Sequence, residues 1–210
     1  MILVATLVLA GCGAQKHASA NSSKSSAGGC KSVSQPKPKS GGGKHVPQKL
    51  LDSRRTYVAV VDTSCGSFTI KLWTNISPHT TAAFVSLARS GFFDGTTFHR
   101  IVPGFVIQGG DPTATGRGGP GFTTVDVPPT GTGYTKGVVA MAKTETEPSG
   151  TAGSQFFVVT GVDAALPPVY ALLGKVTTGL DVVERIGKLG NALEQPTQPV
   201  VVDHVSIQTA

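Results

Sequence analysis

Two apolar runs, YVAVVDT (Tyr57–Thr63) and GSFTIKL (Gly66–Leu72), are separated only by Ser64-Cys65. Both are rich in β-branched and aromatic residues, and a two-residue break between such runs predicts a β-hairpin. Ser77-Pro78 then opens a helix, with Ser77 at the N-cap and Pro78 at the first helical position. Ala83, Phe84, Leu87 and Ala88 recur at helical spacing as its buried stripe, and Gly91 supplies the C-terminal stop. Short apolar stretches near 97–102, 105–109, 137–142, 154–160 and 171–176 read as strands. A second helix is expected from about Leu180 to Lys188, and Pro199–Ile207 reads as a closing strand. Many short strands, two helices and frequent Gly turns indicate a mainly β fold, a barrel or sandwich with helical caps. No internal repeat is present.

The pattern is different before residue 56. Ile2–Ala10, ILVATLVLA, is apolar but far below the ~20 residues of a membrane-spanning helix. Small residues follow it, as at the end of a signal peptide. The run finishes in Leu9-Ala10-Gly11-Cys12, which resembles the lipobox of bacterial lipoproteins, although no Lys or Arg precedes it. That resemblance implies a signal peptide over residues 1–11, diacylglycerol on the Cys12 thiol, and an exported protein anchored to the cell membrane. Residues 12–55 are dominated by Ser, Gly, Lys and Pro and cannot bury enough apolar surface to fold alone. They are expected to form a disordered basic linker with a reach of roughly 35–40 Å, leaving residues 56–210 as the folded domain.

Charge supports this division. The formal net charge is +6, but from Gly13 to Arg55 nine Lys and Arg face one acid, Asp52. From Thr56 onward nine basic residues face eleven acidic ones. The basicity therefore belongs to the tail, where scattered Lys suits an anionic membrane or wall surface. It offers no basic groove, and nucleic acid is not expected as a partner. Of the three Cys, at 12, 30 and 65, lipidation of Cys12 would leave two. Export favours pairing them as Cys30–Cys65; the alternative is two free thiols.

Three apparent motifs carry little. Gly116-Arg117-Gly118-Gly119-Pro120-Gly121 matches G-x-G-x-x-G literally, but Pro120 and the following FTTVDVPP bar the helix that a dinucleotide site requires. The His at 17, 45, 79, 99 and 204 lack metal-ligand spacing, and no C-x-x-C occurs, so no metal is expected. Ser154, His99 and Asp111 could be drawn as a hydrolase triad, but no nucleophile-elbow sequence surrounds Ser154.

One apolar stretch carries an anomaly. FHRIVPGFVIQGGD (Phe98–Asp111) places Arg100 and Gln108 among strand residues. A second stretch, GSQFFV, does the same with Gln155, and Phe157 two positions on shares its face. Arg100, two amides and two Phe, Phe105 and Phe157, could form a pocket with an apolar floor and one polar rim. Taken singly, each residue reads as a snorkelling Arg or a core Phe; together they point to a site.

The motifs FHRIVPGFVIQGGDP, GVVAMA and AGSQFFVVT, in that order, resemble the core of the cyclophilins, the peptidyl-prolyl cis–trans isomerases. The resemblance runs from about Tyr57 to Ile207. It implies a closed eight-stranded antiparallel β-barrel capped by two α-helices, acting on X-Pro bonds without metal or cofactor. It also implies roles. Arg100 matches the catalytic arginine, Gln108 the glutamine that orients it, and Phe105 and Phe157 the floor beneath the proline ring. Val106 falls where Met is frequent in the family. Ala142 and Lys143 match the edge that pairs with the substrate backbone, though many members have Asn in place of Lys143. Gln155 and Leu166 match further substrate contacts. Tyr170 stands where eukaryotic members have His, and Ala165 where many have Trp, which argues against tight cyclosporin binding. A monomer acting on Pro-containing polypeptides, and assisting the folding of exported proteins, is expected. The rival is a non-catalytic module that binds Pro-containing segments.

Overall fold

The computed structural model describes residues 29–210. The expected signal peptide and Cys12 lie outside the described residues. The strands are β1 (Tyr57–Thr63), β2 (Gly66–Leu72), β3 (Arg100–Val102), β4 (Val106–Gly109), β5 (Thr124–Val125), β6 (Val138–Met141), β7 (Thr151–Ala152), β8 (Phe156–Val159), β9 (Leu172–Thr178) and β10 (Val202–Thr209). The helices are α1 (Pro78–Arg89) and α2 (Leu180–Gly187). Eight strands form one sheet in the order β10-β1-β2-β9-β6-β8-β4-β3, and β5 pairs with β7 apart from it. Every pairing in the large sheet is antiparallel.

The closed barrel expected from the sequence is corrected. The sheet is an open, curled half-barrel whose edge strands β3 and β10 do not pair with each other. The gap is spanned just ahead of β3, by an isolated bridge between Thr97 and Val201 and by three backbone hydrogen bonds: the Gly95 amide donates to Val202 O at 2.7 Å, the Val202 amide to Thr96 O at 2.8 Å and the Phe98 amide to Val200 O at 3.0 Å. The cause is length: β3 has three residues before Pro103, which has no N–H to extend a ladder, whereas β10 has eight.

Helix α1 ends differently from the sequence expectation. Ser77 occupies the N-cap position, but its side chain makes no capping hydrogen bond. The Thr80 amide donates instead to Asp126 Oδ2 at 2.6 Å, so a distant carboxylate meets the positive end of the helix.

Strands β6 and β8 are buried at every residue, because both faces of the sheet are covered, which gives continuous apolar runs rather than alternation. On the inner face Val139, Met141, Phe156 and Val158 join the main core with Phe84, Phe93 and Phe98. Phe156 stacks edge-on to Phe84, Phe93 and Phe98, with centroids 5.8–6.0 Å away. On the outer face Val106, Val138, Ala140, Phe157 and Val159 form a second cluster with Tyr134 and Leu172. The site is built on this smaller cluster.

Residues 29–55 contain no helix or strand, in keeping with their composition. They are nevertheless fastened to the body. Cys30 and Cys65 form a disulfide. The Lys31 amide donates to Ser64 O, and the Lys39 amide to Pro112 O, each at 2.8 Å. Lys39 Nζ reaches the Phe92 and Asp94 carbonyls.

Candidate active site

Antiparallel register places one row of side chains across five strands. Arg100 lies opposite Gln108, Gln108 opposite Phe157, Phe157 opposite Ala140, and Ala140 opposite Leu172. Directly opposed residues share a face, so the register alone sets Arg100, Gln108 and Phe157 side by side. Phe105 joins them from the β3–β4 turn, which is fixed by its amide on Val102 O at 3.0 Å and its carbonyl accepting from Thr160 N at 2.8 Å.

These residues enclose a pocket of about 240 Å³, lined by Arg100, Phe105, Val106, Gln108, Ala142, Lys143, Phe157, Leu166 and Tyr170. Nine of the ten pocket residues expected from the sequence therefore meet in one cavity. The tenth, Gln155, lines an adjoining groove of about 800 Å³ that shares Gln108, Ala142 and Lys143 with the pocket.

The polar rim is a connected relay. Arg100 Nη1 donates to Gln108 Oε1 at 3.3 Å, Gln108 Nε2 to Gln155 Oε1 at 3.1 Å, and Gln155 Nε2 to the Gly118 carbonyl at 3.0 Å. On its other side, Arg100 Nε donates to Glu194 Oε2 at 2.6 Å. Two sides of the guanidinium are thus held, and Nη2 makes no hydrogen bond among the described residues.

Glu194 was not found from the sequence. It lies in the loop between α2 and β10, ninety-four residues from Arg100, and no local pattern marks it. Its position is tightly set. Asn191 Oδ1 accepts from the Leu193 and Gln195 amides at 2.9 and 3.0 Å, and the Glu194 carbonyl accepts from Ile101 N at 2.9 Å. Glu194 has φ +61°, a left-handed backbone that costs a non-Gly residue free energy and is retained here next to the site.

Tyr134 was also missed. It is fully buried, its hydroxyl donates to the Tyr170 carbonyl at 2.7 Å, and that same oxygen accepts from the Tyr170 amide at 3.0 Å. Burial pushes the Tyr134 hydroxyl pKa up, so it keeps the proton it donates. Tyr170 is thereby held edge-on to Phe157, with centroids 5.6 Å apart. Lys143 Nζ sits 5.7 Å from the Tyr170 ring centre and donates to the Thr144 and Glu147 carbonyls at 2.9 and 3.0 Å.

The far end of the relay rests on Asp111, which is fully buried. It accepts from the Thr113 amide and hydroxyl and from the amides of Thr115, Gly116 and Gly118, at 2.7–3.1 Å. Burial alone would raise its pKa; those donors outweigh it and hold the carboxyl below the ordinary range. A Cβ at Gly118 would collide with the Asp111 carboxylate and the Thr113 side chain, so Gly is required there. The hydrolase triad is absent, since Asp111 is committed to the loop and Ser154 Oγ donates to Gly110 O at 2.7 Å.

Both His99 ring nitrogens are buried without a hydrogen-bond partner among the described residues. Burial lowers its pKa, partly offset by the Asp111 carboxylate. The unfolded chain binds a proton below the ordinary His value of about 6.5, before folded His99 does. The stability linked to His99 is therefore full above that pH and is lost as pH falls towards its lowered folded value. Melting temperature should decline from pH 7 to pH 5, and His99→Gln should flatten the decline. An equally steep decline in the variant would contradict this.

The sequence model of the cyclophilin type peptidyl-prolyl cis-trans isomerases matches residues 58–207. The chain belongs to this family. The cyclophilin match covers both helices and the sheet except the outer ends of β1 and β10, and leaves out the segment 29–55. Among curated cyclophilins, peptidyl-prolyl cis-trans isomerase A of Mycobacterium tuberculosis is 38% identical over 171 residues, covering 72% of this chain and 92% of that protein. Peptidyl-prolyl cis-trans isomerase-like 1 of Neurospora crassa is 41% identical over 131 residues, covering 60% and 78%. A Cryptosporidium parvum cyclophilin type isomerase, solved in the presence of the dipeptide Ala-Pro, superposes with a TM-score of 0.67 at 28% identity, covering 72% of this chain and 98% of that one.

Proposed function

We propose that this cyclophilin catalyses cis–trans isomerisation of X-Pro bonds in exported polypeptides, with Arg100 as the catalytic donor. One observation carries the reading: a guanidinium pinned by Glu194 and Gln108 at the lip of a pocket floored by Phe105 and Phe157. The X-Pro barrier of ~18–20 kcal/mol is the loss of amide resonance on twisting. In the twisted state the prolyl nitrogen becomes pyramidal and regains a lone pair. A donor aimed at that nitrogen is stronger in the transition state than in the planar ground state, and only such differential binding accelerates the step.

The free Nη2 of Arg100 is assigned this contact. Gln108 and Gln155 keep the guanidinium level, and Phe105, Val106, Leu166 and Phe157 hold the proline ring while the acyl side rotates. Ala142 and Lys143 supply the edge for the substrate backbone. Catalysed exchange of an X-Pro peptide is the direct test.

Glu194 acts on the reaction through Arg100 as a positioning residue. Arg100 is partly exposed and Glu194 more so, so the stability contribution of this ion pair is at most about 1 kcal/mol. Glu194→Gln should lower turnover about tenfold, equivalent to about 1.4 kcal/mol in the barrier. KM and melting temperature should change little, and Glu194→Asp should recover part of the loss. A rise in KM with unchanged turnover would contradict the positioning role.

Export and anchoring rest on the Leu9-Ala10-Gly11-Cys12 sequence. The protein is read as a lipoprotein, attached through Cys12 and acting outside the cytoplasm, and as a monomer. Mass spectrometry of the protein from its own host should find residues 1–11 removed and a lipid on Cys12. An intact Met1 with unmodified Cys12 would refute this.

A further inference from the structure

The groove beside the proline pocket has one wall that does not belong to the family-matched domain. Gly41 and Gly42 line it, facing a side formed by Gln108, Ala142, Lys143 and Gln155. Both glycines precede residue 58, where the family match begins. Gln108, Ala142 and Lys143 border pocket and groove alike, so a chain leaving the pocket passes directly into the groove.

The wall is docked backbone against backbone. The Gly42 amide donates to Gly119 O at 2.8 Å, and the Lys44 amide to Pro120 O at 3.0 Å. A Cβ on Gly41 would lie 3.0 Å from Gly119 O, and one on Gly121 would lie 2.9 Å from Gly42 Cα. Gly42 and Gly43 also have φ of +82° and +69°, a region that glycine adopts without a steric cost. At Gly41 and Gly121 the two segments therefore approach so closely that a side chain on either would crowd the other's backbone. Gly121, the last glycine of the G-x-G-x-x-G match, thus has a role in this contact. Upstream, the Lys39 amide on Pro112 O and Lys39 Nζ on the Phe92 and Asp94 carbonyls hold the segment in place.

The amides of Gly41 and Gly43 make no hydrogen bond among the described residues, and both residues are exposed. The neighbouring amides of Gly42 and Lys44 are bonded, so the segment is docked through some of its amides and keeps others unused. Unused backbone donors on a segment that walls a groove suit an extended polypeptide, which brings its own carbonyls.

We propose that residues 41–43 are part of the substrate-binding surface, forming the outer wall on which the polypeptide flanking the X-Pro unit is laid. The proposal rests on the isomerase reading and deepens it: the enzyme is built for an X-Pro bond within an extended chain, and its reach depends on a segment outside the family domain. Two additional main-chain hydrogen bonds of ordinary strength correspond to about tenfold in affinity.

The test uses the full chain, isotope-labelled, with two probes: the dipeptide Ala-Pro and an eight-residue peptide with Ala-Pro at its centre. Both should shift the amides of Phe105 and Phe157. Only the longer peptide should give nuclear Overhauser contacts to the Gly41 and Gly43 protons, and it should bind about tenfold more tightly. Saturation of the pocket by the longer peptide without contacts to residues 41–43 would overturn the proposal. Silence at Phe105 and Phe157 with both probes would overturn the isomerase reading, and this proposal with it.

Discussion

Arg100→Lys should lower turnover about a hundredfold, the scale seen when one preorganised donor to a transition state is removed. Charge is retained, so a purely electrostatic role would predict a small effect. Geometry is what changes. The guanidinium uses Nε on Glu194 and Nη1 on Gln108, which leaves Nη2 directed by two fixed bonds. An ammonium on a flexible stem can satisfy Glu194 or reach the substrate, but lacks the planar fork that does both. The loss should fall on turnover rather than KM, because the contact is made in the twisted state. Stability should move by less than about 1 kcal/mol, the range of an exposed ion pair. Catalysed exchange beside a thermal melt checks both. Near-normal turnover in a folded variant would identify Arg100 as a snorkelling residue at the pocket edge.

Phe157→Ala should show the opposite balance. Phe157 is 4% exposed and belongs to the outer-face cluster with Val106, Tyr134, Ala140 and Leu172. Its ring also meets Tyr170 edge-on. Removing it leaves a cavity whose cost is about 3–5 kcal/mol, so the melting temperature should fall by many degrees. Proline-ring contact is lost in ground and transition states alike, so affinity should weaken and KM should rise. Phe157→Leu fills part of the space and should recover more stability than affinity. A variant with lowered stability but unaltered KM would mean that the ring is core and not pocket floor.

The sequence displayed the centre of the site well and its supports poorly. Arg100 and Gln108 were legible because each interrupts an apolar strand, and Phe157 because it shares a face with Gln155; strand register then joins them without further information. Glu194 was illegible because its loop offers no periodicity, and its contact is set by the fold of α2 and β10 against β3. Tyr134 was hidden for a similar reason: its value lies in a hydroxyl that meets the backbone of Tyr170, thirty-six residues away.

Composition misled at the front of the domain. Gly41-Gly42-Gly43 reads as a flexible tether because it cannot form a core, yet a second glycine run at 118–121 allows backbone contact that no hydrophobicity measure registers. Barrel closure was overestimated because strand count does not report strand length at the edges; the three residues of β3 leave the half-barrel open. The helix start was placed correctly at Pro78, but its cap comes from Asp126 rather than Ser77, a choice made by tertiary packing.

The central claim is that this pocket lowers the barrier of the X-Pro bond and does more than hold proline. Magnetisation-exchange spectroscopy on an X-Pro peptide with substoichiometric protein tests it most directly. Uncatalysed, the cis and trans signals exchange over tens to hundreds of seconds at 25 °C. With the protein, cross-peaks between them should appear within a mixing time of about a second, grow in proportion to protein concentration, and nearly vanish with Arg100→Lys. Peptide signals that shift on binding, with no exchange between the cis and trans forms at any protein concentration, would contradict the account and leave a module that binds proline without turning it.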